Sequence, residues 1–190
     1  DDTTTPTLVT ESTVATTLAP STTAARPTTS TSATSSSTST TSVASLEDQI
    51  RADFESTWLA FYECGYEPAA CDYAAVVVPG TELEAQMRAE MQTMVEAGLR
   101  GIPGSGIQRY SIESIEVGAD GTEATVVSCL VDGTVVVDIR DPSDPSDDII
   151  FNDALNAYRT KWTFRLTDVG WRRLAGERIG VFQGAESCEP

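Results

Sequence analysis

Carboxylates, phenols and cysteines are the side chains of this chain that could do chemistry, because it contains no histidine. A buried carboxylate acting as base beside a tyrosine donor is the acid–base pair still open to it. Tyr62, Asp132, Asp138 and Tyr158 are the residues for such a pair, although turn former, strand residue and core phenol are their commoner roles. The missing histidine excludes Ser-His-Asp and Cys-His nucleophile systems, His-ligated zinc and the ordinary near-neutral pH switch. No catalytic, cofactor-binding or metal-binding residue is assigned, and no cofactor is expected.

Asp141, Asp144, Asp147 and Asp148 crowd the stretch from Asp138 to Asp153. Calcium takes such oxygen donors, but the loop lacks the D-x-[DN]-x-[DN]-G spacing that aims carboxylates at one point, so a solvated loop is expected. Arg159, Lys161, Arg165, Arg172, Arg173 and Arg178 make up half of the 12 basic residues. They read as an exposed sheet face whose cations pair with nearby carboxylates. The sharper reading is a docking face for a second acidic copy, a homodimer through the sheet.

Cys64, Cys71, Cys129 and Cys188 are even in number and spaced unlike any CxxC motif, so disulfides are the first reading. A Cys64–Cys71 bridge would close a compact loop and contribute roughly 2–3 kcal/mol by loop entropy. Cys129 and Cys188 would then remain to pin the C-terminus onto the sheet. The alternative is a free core cysteine and a reactive tail thiol.

The chain divides near Ser45. Of the first 45 residues 27 are Ser or Thr, with Pro6, Pro20 and Pro27 among them and no aromatic residue. Such a segment buries too little apolar surface to offset its ordering entropy, so residues 1–45 are expected to be a disordered Ser/Thr/Pro-rich stalk. As a flexible coil it would span roughly 40 Å, a spacer's length that suits a tether. The remaining 46–190 segment is long enough to bury roughly two-thirds of its unfolded surface as one domain. The net charge of −17 repels nucleic acid and anionic lipid, so neither is an expected partner. No run of 18 apolar residues offers a membrane span. The start at Asp1 without Met suggests a processed, exported chain, and a lipid anchor would need a cysteine ahead of Asp1.

Two amphipathic helices must open the domain. Ser45-Leu46-Glu47-Asp48 has capping-box spacing, and Leu46, Ile50, Phe54, Thr57, Trp58, Phe61 and Tyr62 form one stripe through about Glu63. Thr81 opens the second, with Leu83, Met87, Met91, Met94 and Val95 as core filling and Gly98 as its stop. Ala74 to Val78 reads as the end of a small helix or a single buried strand. Gly101 to Gly106 links these helices to a sheet.

The strands follow as Ile107 to Val117, slipping phase near Ser114, then Glu123 to Val131, Thr134 to Arg140, Tyr158 to Thr167, and Trp171 to Phe182. Asp120-Gly121 and Asp132-Gly133 mark reversals, the second as a two-residue type I′ hairpin turn. Tyr158, Trp162 and Phe164 alternate onto the inner, core face of their strand.

The fold class is therefore α+β, N-terminal helices packed on a curved antiparallel β-meander. This order resembles the nuclear transport factor 2-like (SnoaL-like) cone. More narrowly, residues 46–190 resemble small exported actinobacterial members of that superfamily, often lipoproteins behind a Ser/Thr-rich stalk. The stretches that carry the resemblance are Trp58 to Cys71, Gly98-Leu99-Arg100-Gly101-Ile102-Pro103-Gly104, Cys129-Leu130-Val131-Asp132, Asn152-Asp153, and Trp162 with Gly170-Trp171-Arg172. The resemblance implies a sheet wrapped round a helix-closed pocket, with Trp58, Tyr62, Tyr158, Trp162 and Phe164 expected to line it, used for catalysis in some members and for binding or dimerisation in others. Catalytic members commonly use Asp with His or Tyr, and this chain has no His. The expected function is a non-enzymatic, envelope-tethered module in the extracellular space or cell envelope, binding a small apolar ligand or a protein partner. The alternative is an isomerase or dehydratase with an Asp base and a Tyr donor.

Overall fold

The computed structural model describes residues 44–141, 143–185 and 188. The stalk expected over 1–45 therefore lies outside the described residues up to 43. Ser45, at its end, is the N-cap of helix α1 (Leu46–Tyr66), where its hydroxyl accepts from the Asp48 amide and the Asp48 carboxylate accepts from the Ser45 amide. Two of the four orphan amides at this helix end are thereby satisfied. The helix continues one turn beyond the expected end at Glu63, since Cys64 is buried and keeps the apolar stripe going.

A short helix, α2 (Tyr73–Val76), follows, and Val77 then makes an isolated parallel bridge to Arg173. The stretch from Ala74 to Val78 is thus helix end and bridge in turn. Helix α3 (Glu82–Glu96) is capped by Thr81, and Gly98, at a φ of 69°, takes the left-handed conformation that ends it.

Two antiparallel sheets complete the domain. The larger contains β2 (Gln108–Val117), β3 (Glu123–Asp132), β6 (Asn156–Thr167) and β7 (Gly170–Gln183) in the order β2-β3-β6-β7. The smaller contains β1 (Leu99–Gly101), β4 (Val136–Asp138) and β5 (Ile149–Asn152) in the order β1-β4-β5. The fold class is α+β as expected, helices followed by a curved antiparallel sheet. Register shifts between Ile112 and Ser114 on β2 and twice along the β6–β7 pairing bend the sheet.

Three expectations about connectivity change. Leu99–Gly101 is a strand paired with β4 where none was expected, and it takes in Gly101, the first residue of the expected link. The meander is interrupted, because the chain leaves β3 for the small sheet and returns as β6. Asp132-Gly133 is accordingly no hairpin turn: β3 pairs with β6, and β4 pairs with β1 and β5. The Asp132 carboxylate accepts from the amide and hydroxyl of Thr134, turning the chain out of the sheet. Gly133 is needed for close approach, since a Cβ there would lie 2.8 Å from Leu155 and 3.2 Å from the Ile107 amide. Asp120-Gly121 does reverse the chain between β2 and β3, with Gly121 at a φ of 70°.

Along β3, Ala124, Val126, Ser128 and Leu130 stand opposite Phe164, Trp162, Thr160 and Tyr158 of β6. This face meets Ile50, Phe54, Trp58 and Tyr62 of α1, and Trp171 of β7 joins the same core. Burying each such side chain contributes roughly 1.5–3 kcal/mol. Cys64, Val76, Val77, Met87 and Met91 form a second cluster, so the buried methionines are core filling. Asp53 ties α1 to the sheet by accepting from the Trp171 amide at 2.9 Å.

Candidate functional site

Helices α1 and α3 do not close completely on β3, β6 and β7, and a cavity of about 290 Å³ remains between them. Trp58, Phe61 and Tyr62 of α1 and Leu83 of α3 supply its apolar roof. Leu130, Tyr158, Thr160 and Trp162 supply its floor, and Asp132, Glu90, Arg173 and Arg178 are its charged residues. Alternation places them there: on β6 every second residue from Tyr158 to Trp162 faces the helices, while Arg159 and Lys161 face away. Gly176 admits the Trp162 ring, since a Cβ on it would come within 2.5 Å of that ring.

Of the five expected lining residues, Trp58, Tyr62, Tyr158 and Trp162 border this cavity. Phe164 faces the same way but lies deeper, fully buried and 5.9 Å from Phe54 between ring centroids. Of the four acid–base candidates, Tyr62, Asp132 and Tyr158 come together at the cavity. Asp138 does not, and pairs with Arg140 at 2.7 Å in the small sheet.

Tyr62 is 6 % exposed, and among the described residues its hydroxyl has no partner at good hydrogen-bond geometry. Burial raises its pKa well above the ordinary phenol value, the Asp132 carboxylate raises it further, and Arg173 opposes the shift. The hydroxyl is thus a neutral donor. Thr134 holds one Asp132 oxygen, through its amide at 2.9 Å and its hydroxyl at 2.6 Å.

Arg173 corrects the expected basic face. It is 3 % exposed, and it lies 4.7 Å from the Trp162 ring centroid, 5.7 Å from that of Phe54 and 5.8 Å from that of Phe61. Its Nε and Nη2 have no hydrogen-bond partner among the described residues. Burial lowers its pKa to about 10, with Tyr62 opposing, so it remains a cation at neutral pH. Arg178 also turns inward, 4.6 Å over the Tyr158 ring. Arg172 is half-buried and donates to the carbonyls of Ala74, Trp171 and Val169. Arg159, Lys161 and Arg165 are exposed on the outer face, where Arg159 pairs with Glu113 at 2.5 Å and Arg165 with Glu123 at 2.8 Å. Trp171, two residues before Arg173 on the same strand, was the signal for an inward Arg173: residues two apart share a face.

The cysteines form two disulfides, Cys64–Cys71 and Cys129–Cys188, and no cysteine is free among the described residues. In the acidic loop Asp141 and Asp144 accept from the amides and hydroxyls of Ser143 and Ser146, which lowers their pKa values. Among the described residues no group of three or more acidic, cysteine or histidine side chains could hold a metal ion. No helix among them is long and apolar enough to cross a membrane.

A helix layer over a curved sheet with a cavity between them defines the class, a cone-like α+β domain. The chain matches no protein-family model and no curated protein sequence. Among solved structures it is similar to the intermembrane space region of the chloroplast protein ARC6, at 18 % identity over 70 % of this chain and 93 % of that one, with a TM-score of 0.47. It is also similar to a ketosteroid isomerase-like protein from Erwinia carotovora atroseptica, at 14 % identity over 69 % and 94 % of the two chains, with a TM-score of 0.39. An NTF2-like protein with a cystatin-like fold from Novosphingobium aromaticivorans is 18 % identical over 74 % and 88 %, with a TM-score of 0.33.

Proposed function

We propose that residues 46–190 form an exported, envelope-tethered binding module that takes a small apolar ligand into the cavity between α1, α3 and the large sheet. The observation that carries this reading is the cavity wall itself: Trp58, Phe61, Tyr62, Leu83, Leu130 and Trp162 around about 290 Å³. Ligand pockets are apolar concavities with a few placed polar groups, and this volume sits at the small end of their range. Two disulfides suit an oxidising compartment, and the Ser/Thr-rich leader suits a spacer.

Titration with the neutral fluorophore N-phenyl-1-naphthylamine tests the reading, with Trp58 and Trp162 as energy donors. One saturable site, abolished by Leu130→Trp, is the expected result. Linear, unsaturable uptake that the Leu130→Trp change leaves untouched would remove the cavity as the binding site.

The meeting of Asp132 with the neutral Tyr62 hydroxyl favours a second reading, an isomerase or dehydratase with Asp132 as base and Tyr62 as donor. Such an enzyme would catalyse deuterium exchange at the carbon next to a carbonyl in a small cyclic ketone. Exchange no faster than buffer, or unchanged in Asp132→Asn, would eliminate it. A homodimer through the outer sheet face would need side chains other than Arg159 and Arg165, which already pair within the chain. Sedimentation at low and high salt tests that dimer.

A further inference from the structure

Arg173 is a buried cation packed against aromatic rings, and its Nε and Nη2 have no hydrogen-bond partner among the described residues. Removing a charge from water costs several kcal/mol unless a counter-charge and hydrogen bonds replace the lost hydration. Cation–π attraction from Trp162, Phe54 and Phe61 offsets part of that cost without satisfying an N–H. The two nitrogens left without a partner, Nε and Nη2, form the side-on edge of the guanidinium, whose parallel N–H groups match the two oxygens of a carboxylate. Arg173 also forms part of the cavity wall, so an anion in the cavity has this cation as a neighbour.

We infer that the cavity's ligand carries a carboxylate, which pairs with Arg173 while its apolar body lies among Trp58, Tyr62 and Trp162. This rests on the ligand-binding reading and narrows it to an amphipathic organic acid. The rest of the molecule argues against any general attraction for anions: the chain carries a net charge of −17, and Asp132 and Glu90 border the same cavity. Preference for an anion must therefore arise locally, from Arg173 with Arg178 toward solvent.

Calorimetric titration of the full chain with 2-naphthoate and with 2-naphthamide, equal in shape and different in charge, tests the inference. The expected result is that the wild type binds the acid about 10- to 100-fold tighter than the amide, as a charged hydrogen-bonded pair implies. Arg173→Met should erase that preference while still binding the amide, and Arg165→Ala, on the outer face, should keep it. Arg173→Lys, which retains charge without the planar fork, should lose part of the preference. Equal wild-type affinities for acid and amide would overturn the inference and leave apolar binding intact. So would an Arg173→Met protein that still prefers the acid. No binding of either compound would overturn both the inference and the ligand-binding reading beneath it. The wild-type comparison decides even if Arg173→Met does not fold.

Discussion

The two faces of the large sheet handle arginine in opposite ways. On the outer face Arg159 and Arg165 lie in water, each against a glutamate of a neighbouring strand. On the inner face Arg173 lies among aromatic rings with two nitrogens unmatched among the described residues. The first arrangement is the ordinary one and is worth little, since solvent screens it. The second lowers stability in the free protein, a cost that the proposed carboxylate ligand would offset.

Phe164 stands opposite Arg173 in the β6–β7 register and is fully buried. Phe164→Ala should cost about 3–5 kcal/mol in urea unfolding, because it opens a cavity beneath the ring cage. A loss below 1 kcal/mol would mean the inner face is far looser than its burial implies.

The outer face has its own fastening. Cys129 lies opposite Arg159 and is joined to Cys188, 59 residues on. Replacing both by Ser should cost about 2–4 kcal/mol by loop entropy. An unchanged midpoint would show that the unfolded chain is not constrained by this bridge.

Arg173→Met should raise stability, by about 1–3 kcal/mol, since an unpaired buried charge gives way to an apolar side chain of similar length. Destabilisation instead would mean that the ring contacts outweigh the desolvation, and the two faces would then differ less than claimed. Arg159→Ala and Arg165→Ala should each shift stability by less than about 1 kcal/mol, with the shift shrinking further at high salt.

Smallest is a pH effect on α3. The Gly80 amide and Arg88 hold the Glu84 carboxyl below its ordinary value. A depressed folded-state pKa stabilises above the unfolded value of 4.5, and that contribution is lost as pH falls through the folded-state value. Glu84→Gln should therefore flatten the acid limb of the stability profile below pH 4.5 and leave the Arg173 contrast untouched.

Local patterns carried much of this molecule. Ser45 and Thr81 announce their helices because capping needs only side chains three residues apart. The stripe of α1 and the alternation of β6 announce their buried faces because 3.6- and 2-residue periods are properties of single elements. The phase slip near Ser114 is such a local signal too. The resemblance to the NTF2-like cone pointed the same way, toward a sheet closed by helices.

What the tertiary structure alone decided is pairing between elements distant in sequence. Asp132-Gly133 looks like a hairpin turn locally, yet the β3 edge is taken by β6, and no local rule reveals which strand wins that edge. Arg173 sits in a run of basic residues whose composition reads as solvated. Its burial depends on Phe54 and Phe61 from α1 and Trp162 from β6 arriving over it. Tyr62 and Asp132 meet for the same reason. Helices α1 and α3, the long strands with their inner faces and the even set of cysteines follow from neighbours along the chain, whereas the short strands β1 and β5 do not. Which strands adjoin, and which cation the folded chain leaves without an acceptor, depend on contacts that exist only once the chain has closed.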